Sequence, residues 1–266
     1  MLDFHFHPEN WGIWPVAGYL GPIPITTYFI FSFLGLIVAG IVFYYFSEKQ
    51  KLNRTESLFI IMAGLFGGAI GAKIPILLMY AENIANGQVG LELIISGKTI
   101  TGGLIGGAIC VWLVKKALKI KFRIGNSLAP AVAIGIAFGR IGCFFTGCCY
   151  GKATQSDWFG VNFGDGILRH PTQIYEALFS LIQFFVFIVI LKKRGSDLKQ
   201  GVLFDFYLLS YFVFRFFLEF IKEENQIYLS LTIFQWISIL VFVRYLFKYI
   251  MIQRDKGRSK VLLDLK

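Results

Sequence analysis

The chain has 266 residues, 56% of them hydrophobic and only 16% charged, with 29 phenylalanines and a formal charge of +10. A water-facing domain carries roughly 25% charged residues, so the composition excludes a soluble globule, and its apolar content excludes disorder. A basic excess suits nucleic acid only as a patch; spread over loops between apolar spans it sets membrane topology instead.

Residues 1–11, MLDFHFHPENW, lack the basic and apolar regions of a signal peptide, so no cleavage is expected. Seven spans follow, judged against the roughly 20 mostly apolar residues that a helix needs to cross the hydrocarbon core. Span 26–46 carries no charge, 58–80 contains Lys73 and Pro75, and 99–114 is short and glycine-rich. Spans 127–145 and 173–191 come next, then 201–220 with Asp205, Arg215 and Glu219, and 231–250 before a basic tail. They predict an all-α integral membrane protein, one polytopic domain over 1–266 with seven transmembrane helices.

The basic residues give the orientation. Lys49, Lys51 and Arg54 follow the first span, Lys115, Lys116, Lys119, Lys121 and Arg123 the third, and Lys192, Lys193, Arg194 and Lys199 the fifth. Arg244, Lys248, Arg254, Lys256, Arg258, Lys260 and Lys266 close the chain. Nineteen of the 26 Lys and Arg thus fall on alternate loops and the C-terminal end. That side is expected to be cytoplasmic, with the N-terminus outside. Topology gives no reason for the other seven, Lys73, Lys98, Arg140, Lys152, Arg169, Arg215 and Lys222. Charge inside a membrane usually faces a cavity, a partner or a ligand.

Three clusters hold the unusual residues. The runs GLFGGAIGAK (64–73) and ITGGLIGGA (100–108) read as close helix packing, or as glycines that free backbone N–H groups or make room for a lipid head group. GRIGCFFTGCCYG (139–151) puts Arg140 in an apolar helix, as half of a structural ion pair or as a planar fork for phosphate. Cys143, Cys148 and Cys149 gather there, whereas isolated Cys110 reads as packing. On the outer side a disulfide is open to them. The spacing C-x4-C-C matches no zinc pattern and histidines occur only at 5, 7 and 170, so no metal is expected. The third cluster joins RHPTQIYEA (169–177) to YFVFRFFLEFIKEEN (211–225). In the latter, Tyr211, Arg215, Glu219 and Lys222 share one helical face. Arg215 and Glu219 either neutralise each other or serve a ligand; His170 is a general base or a cap.

HPTQIYE, GRIGCFFTGCCYG and YFVFRFFLEFIK, present together on seven spans, resemble phosphatidylglycerol–prolipoprotein diacylglyceryl transferase over roughly residues 21–243. Tyr28 in the first span and the TGGLIGG segment are similar too. The resemblance implies a bacterial inner-membrane enzyme with a helical body, a small outer-face head region and an active centre near the outer leaflet. Such enzymes move a diacylglyceryl group from phosphatidylglycerol to the lipobox cysteine thiol of a prolipoprotein and release glycerol phosphate. It implies catalytic roles for Arg140, Arg215, Tyr28 and Glu219, and substrate contacts from Arg140, Lys73, Thr101, Gly102, Gly103, Cys143, Gly151, His170, Gln173, Tyr175, Glu176, Tyr211 and Lys222. No cofactor and no nucleic acid are expected, and the protein is expected to be a monomer.

Four positions depart from the family pattern. Thr101 stands where a histidine is usual, Cys143 and Thr146 where asparagines are, and Cys148 where a glutamate is. Lys73 and Lys222 replace usual arginines, keeping charge without the fork. The chain therefore resembles a cysteine-bearing branch. One alternative is action on a different phospholipid or acceptor, with Cys148 or Cys143 as a covalent carrier. Another is a membrane thiol–disulfide protein.

Overall fold

In lipid every backbone polar group needs an internal partner, and the apolar runs accordingly fold as helices. A computed structural model of the chain describes residues 11–21, 23–48, 53–79, 81, 99–120, 124–194, 198–222 and 229–264. His5, His7, Lys49, Lys51, Lys98, Lys121, Arg123 and Lys266 lie outside them, as do the side chains of Thr101, Lys248, Arg254, Lys256, Arg258 and Lys260. Two units are described separately, residues 1–204 and 205–266.

The first unit begins with a hairpin, β1 (Val16–Leu20) antiparallel to β2 (Ile23–Thr26), and Gly21 takes a φ of 62° at its turn. Helices α1 (Thr27–Glu48), α2 (Arg54–Met79), α3 (Ile100–Ala117) and α4 (Gly125–Thr146) follow. A non-helical insert carries β3 (Val161–Asn162) and β4 (Leu168–Arg169), and α5 (Thr172–Arg194) completes the unit. Helix α6 (Val202–Leu218) runs on into the second unit, which adds α7 (Ile233–Asp264).

Helices α1, α2, α4 and α5 are long and apolar enough to cross a membrane. Helix α3 has 18 residues, α6 has 17, and the apolar part of α7 covers Ile233–Phe247. The helices overlap the expected spans with shifted ends: α2 starts at Arg54, α3 runs on to Ala117, α5 to Arg194 and α7 to Asp264, while α6 stops at Leu218. The strands are additions to the all-α expectation. They arise where Gly, Pro and Asn break the helical pattern, so that backbone groups pair across turns instead.

Half of α4's apolar window is buried against 17% of α1's, which makes α4 the central helix of its unit. Exposed Phe29, Phe66, Ile182 and Phe185 present to lipid the apolar surface that water would not tolerate. Buried Phe43, Ile60, Ala63, Val111, Ile120, Ile124 and Ala131 form a core among α1 to α4.

Glycine makes the closest crossing, α2 on α3. A methyl on Gly71 would sit 2.7 Å from the Gly106 Cα, and one on Gly67 would collide with the Cys110 Cβ. Pro75 lacks the N–H that would bond the Gly71 carbonyl, and a methyl on Gly102 would strike that same oxygen. The glycine runs therefore pack helices, and Cys110 packs with them.

In the second unit α7 opens with a capping box. The Gln235 N–H donates to Thr232 Oγ1 (3.3 Å) and the Thr232 N–H to Gln235 Oε1 (2.9 Å). The Tyr245 hydroxyl donates to Asp205 (3.1 Å), holding α7 to α6.

Candidate active site

Helix α4 ends one residue after its last apolar pair. Gly147 closes it with a φ of 75°, its N–H and that of Cys148 donating to Phe144 and Cys143 carbonyls (both 3.1 Å). This is the left-handed cap that glycine adopts without a Cβ penalty. Trp11 covers it, donating Nε1–H to the Gly147 carbonyl (2.9 Å), while the N–H groups of Ile13 and Trp14 bond the Phe145 carbonyl (3.0 and 2.9 Å). The orphan carbonyls at the helix end are thus satisfied from the N-terminal segment.

The insert between α4 and α5 folds back on itself. The Gly151 N–H donates to the His170 carbonyl (2.8 Å) and the His170 N–H to the Lys152 carbonyl (3.1 Å). Arg169 makes two 2.7 Å bonds to the Asp165 carboxylate and lies 5.6 Å over Trp11 and 5.0 Å over Tyr150. Those bonds hold the Asp165 carboxyl down to about 2. The place of Arg169 on the outer side, which topology left without a reason, is thus accounted for by these contacts.

Helix α5 returns alongside α4 in the opposite sense. Moving up α4 from Arg140 to Cys148 and Cys149 matches moving down α5 from Glu176 to Gln173 and Thr172. The Arg140 Nε meets the Glu176 carboxylate in an ion pair with both side chains buried. Gln173 Nε2 donates to the Cys148 carbonyl (2.7 Å), and the Thr172 hydroxyl to the Cys149 carbonyl (2.8 Å). The Gln173 Oε1 is buried with no hydrogen-bond partner among the described residues. His170 Nδ1 lies 3.3 Å from the Tyr175 hydroxyl.

Around this junction three cysteine sulfurs, of Cys143, Cys148 and Cys149, lie within 4.8 Å of one another, all as free thiols. Cys149 has a φ of 66°, a left-handed conformation uncommon outside glycine. Its thiol is held well below the usual thiol range because the Cys143 and Cys148 thiols donate hydrogen bonds to its sulfur. Tyr28 of α1 packs here too: a methyl on Gly142 would lie 3.1 Å from the Tyr28 Cα.

The structure thus gathers Tyr28, Arg140, Cys143, Cys148, Gly151, His170, Gln173, Tyr175 and Glu176 around the α4–α5 junction. Gly102 and Gly103 belong to the α2–α3 crossing, Lys73 lies in its α2 segment between Gly71 and Pro75, and the Thr101 side chain lies outside the described residues. Gly103 also lines an apolar cavity of about 330 Å³ among α1 to α4, with Leu36, Phe43, Ile60 and Val111.

In the second unit Tyr211, Arg215, Glu219 and Lys222 are buried, and Arg215 bonds Glu219 (3.1 Å) with its guanidinium over the Phe234 ring (5.1 Å). The single helical face expected for all four does not extend that far. Beyond Leu218 the bonds tighten to Phe220 N–H on Phe217 and Ile221 N–H on Leu218, so the chain turns more steeply before Lys222. Sequence reasoning passed over Trp11, Tyr150 and Thr172, and it gave Cys149 no role in the transferase site. Only Thr172 had a visible signal, a hydroxyl residue after Pro171 at a helix start.

The family described as Prolipoprotein diacylglyceryl transferase matches residues 15–251. A phosphatidylglycerol–prolipoprotein diacylglyceryl transferase of Clostridium tetani is 32% identical over 237 residues, covering 86% of this chain and 94% of that one. Proteins of the same name from Oleidesulfovibrio alaskensis and Legionella pneumophila are 30% and 29% identical, each over 84% of this chain and over 85% and 89% of their own.

Proposed function

The chain belongs to the prolipoprotein diacylglyceryl transferase family, and from that premise we propose that it moves a diacylglyceryl group from phosphatidylglycerol to the lipobox cysteine thiol of a prolipoprotein. The observation that carries this reading is the buried Arg140, fixed by Glu176 where the GRIG and HPTQIYE motifs meet. A guanidinium already oriented by a carboxylate loses little freedom when an anion arrives, and its fork suits phosphate. Arg140 stabilises the phosphate as it departs, the electrostatic contribution that is usually largest in such a step. In the second unit, considered by itself, Arg215 and Lys222 are buried cations of the kind that suits an anionic head group. Tyr28, His170, Gln173 and Tyr175 shape the acceptor side, while Gly103 lines the apolar cavity on the lipid side.

The apolar cavity among α1 to α4, about 330 Å³ in volume, supports a lipid donor because its wall is almost wholly aliphatic and aromatic. We read seven spans, with the N-terminus and the 147–171 insert outside the bacterial inner membrane and the C-terminal end in the cytoplasm. The protein acts as a monomer.

The test is transfer from phosphatidylglycerol vesicles to a synthetic lipobox peptide, followed by the diacylglyceryl mass gain. Arg140→Gln abolishes transfer, and full activity in that variant would sink the proposal. Complementation of a bacterium depleted of its own transferase gives the same reading in the cell. Failure there with normal membrane insertion points to a different acceptor.

A further inference from the structure

The sulfurs of Cys143, Cys148 and Cys149 converge although their linear spacing matches no zinc pattern. All lie within 4.8 Å of one another, whereas three corners of a tetrahedral site with metal–sulfur bonds of about 2.3 Å stand about 3.8 Å apart. Closing on an ion needs at most a small contraction of side-chain torsions. A disulfide would consume two of the three thiols, and neighbours Cys148 and Cys149 could join only in a strained ring.

The frame of this cluster is built. Cys143 sits on the last turn of α4, Cys148 follows the Gly147 cap, and the carbonyls of Cys148 and Cys149 are captured by Gln173 (2.7 Å) and Thr172 (2.8 Å). Those bonds hold Cys149 in its left-handed conformation, which turns its side chain toward the other two. Arg140 lies three residues before Cys143 on the same helix and sets a positive charge beside a thiolate-rich centre. The Gln173 amide that fixes Cys148 leaves its buried Oε1 as an acceptor beside the cluster.

We propose that Cys143, Cys148 and Cys149 form a three-thiolate zinc site whose fourth position takes the acceptor thiol of the transfer reaction. The second half rests on the diacylglyceryl-transfer reading; the metal site itself does not. Three protein ligands with one open position is the arrangement of catalytic rather than structural zinc. Binding displaces to solvent the protons that the enzyme thiols still carry, leaving three thiolates on the ion. The acceptor thiol then replaces a bound water and gives its own proton to solvent, since a thiol coordinated to zinc is deprotonated outright. The zinc-bound thiolate supplies the electron pair of the new sulfur–carbon bond to the glyceryl group. The carbon–oxygen bond to phosphate breaks as that bond forms, its electron pair leaving with the phosphate oxygen. The thioether product, a weaker ligand, departs and water returns; the metal is neither oxidised nor reduced.

The experiment uses the full chain in detergent under a reductant, with zinc measured by elemental analysis. About one zinc per chain is expected in the wild type and in Cys110→Ser, and almost none in Cys148→Ser or in the triple serine variant. Because serine variants can fail to fold, chelator-stripped and zinc-reloaded wild type provides a second comparison. Cobalt replacing zinc should give the visible bands of a tetrahedral thiolate site, shifted by a lipobox peptide bearing cysteine and not by its serine counterpart. Transfer should fall at least tenfold on stripping and return with zinc. Reduced protein that carries no zinc yet transfers diacylglyceryl overturns this inference and leaves the transferase reading standing. Bound zinc with no cobalt response to the thiol peptide overturns the activation role. A cobalt response without any diacylglyceryl transfer upholds the thiol-binding metal site and sinks the transferase reading.

Discussion

Arg140 and Glu176 are 36 positions apart in the chain, yet the Nε of one meets the carboxylate of the other with both side chains buried. The pair ties α4 to α5 below the cysteine junction and holds the arginine in one orientation. An ion pair in this setting is costly to desolvate, so its worth to stability is small while its loss on one side is large.

Glu176→Ala removes the carboxylate from the buried Arg140 guanidinium and should lower stability by about 3–5 kcal/mol, read from thermal unfolding in detergent. Replacing both partners, Arg140→Met with Glu176→Leu, should restore most of that stability and transfer nothing. Activity in the double variant would show that Arg140 has no role beyond packing.

At the α2–α3 crossing, Gly102→Ala puts a methyl against the Gly71 carbonyl, the Thr99 hydroxyl and the Pro75 ring. Overpacking of this kind costs about 1–3 kcal/mol. Gly139→Ala is the contrast, because a methyl there meets no heavy atom within 4 Å. Stability should hold or rise by up to ~1 kcal/mol from the helix preference of alanine. Urea or thermal midpoints of the two variants check both statements.

Thr172→Val keeps the shape of the side chain and removes the hydroxyl that donates to the Cys149 carbonyl. Leaving that acceptor unsatisfied costs about 1–3 kcal/mol. The variant should also lose zinc at chelator concentrations that the wild type withstands, measured by titration with a colorimetric chelator.

The Asp165 carboxyl, held down to about 2 by Arg169, titrates below its unfolded value. Its contribution is therefore complete above the unfolded carboxylate range and is lost as pH falls toward 2. The pair is partly exposed, so the contribution is about 0.2–1 kcal/mol. The stability gap between wild type and Asp165→Asn should be level from neutral pH down to about 5 and close between about 4 and 2. A gap that widens on acidification would contradict the assignment.

Much of the helical scaffold is legible in the residues one after another. Apolar runs such as that of α1 admit few other readings, and the glycine runs of α2 and α3 announce a close crossing through the absence of side chains. The HPTQIYE and GRIG motifs were visible, but not that Gln173 and Thr172 reach back to the carbonyls of Cys148 and Cys149. The end of α6 was misjudged because the polar stripe from Tyr211 to Lys222 has helical spacing, whereas the backbone bonds past Leu218 do not. The hairpins were missed because strands of two to five residues leave little periodic signal.

Sequence alone determined that this chain is membrane-embedded and where its helices lie, because the solvent rejects polar backbone and selects apolar runs locally. It also determined the family, through motif residues that stand in order along the chain. Tertiary structure alone decided which charges neutralise each other and that three cysteines face one point. Those facts depend on the antiparallel register of α4 and α5 and on the left-handed turns at Gly147 and Cys149. A register between distant segments is fixed by packing, and linear spacing does not carry it.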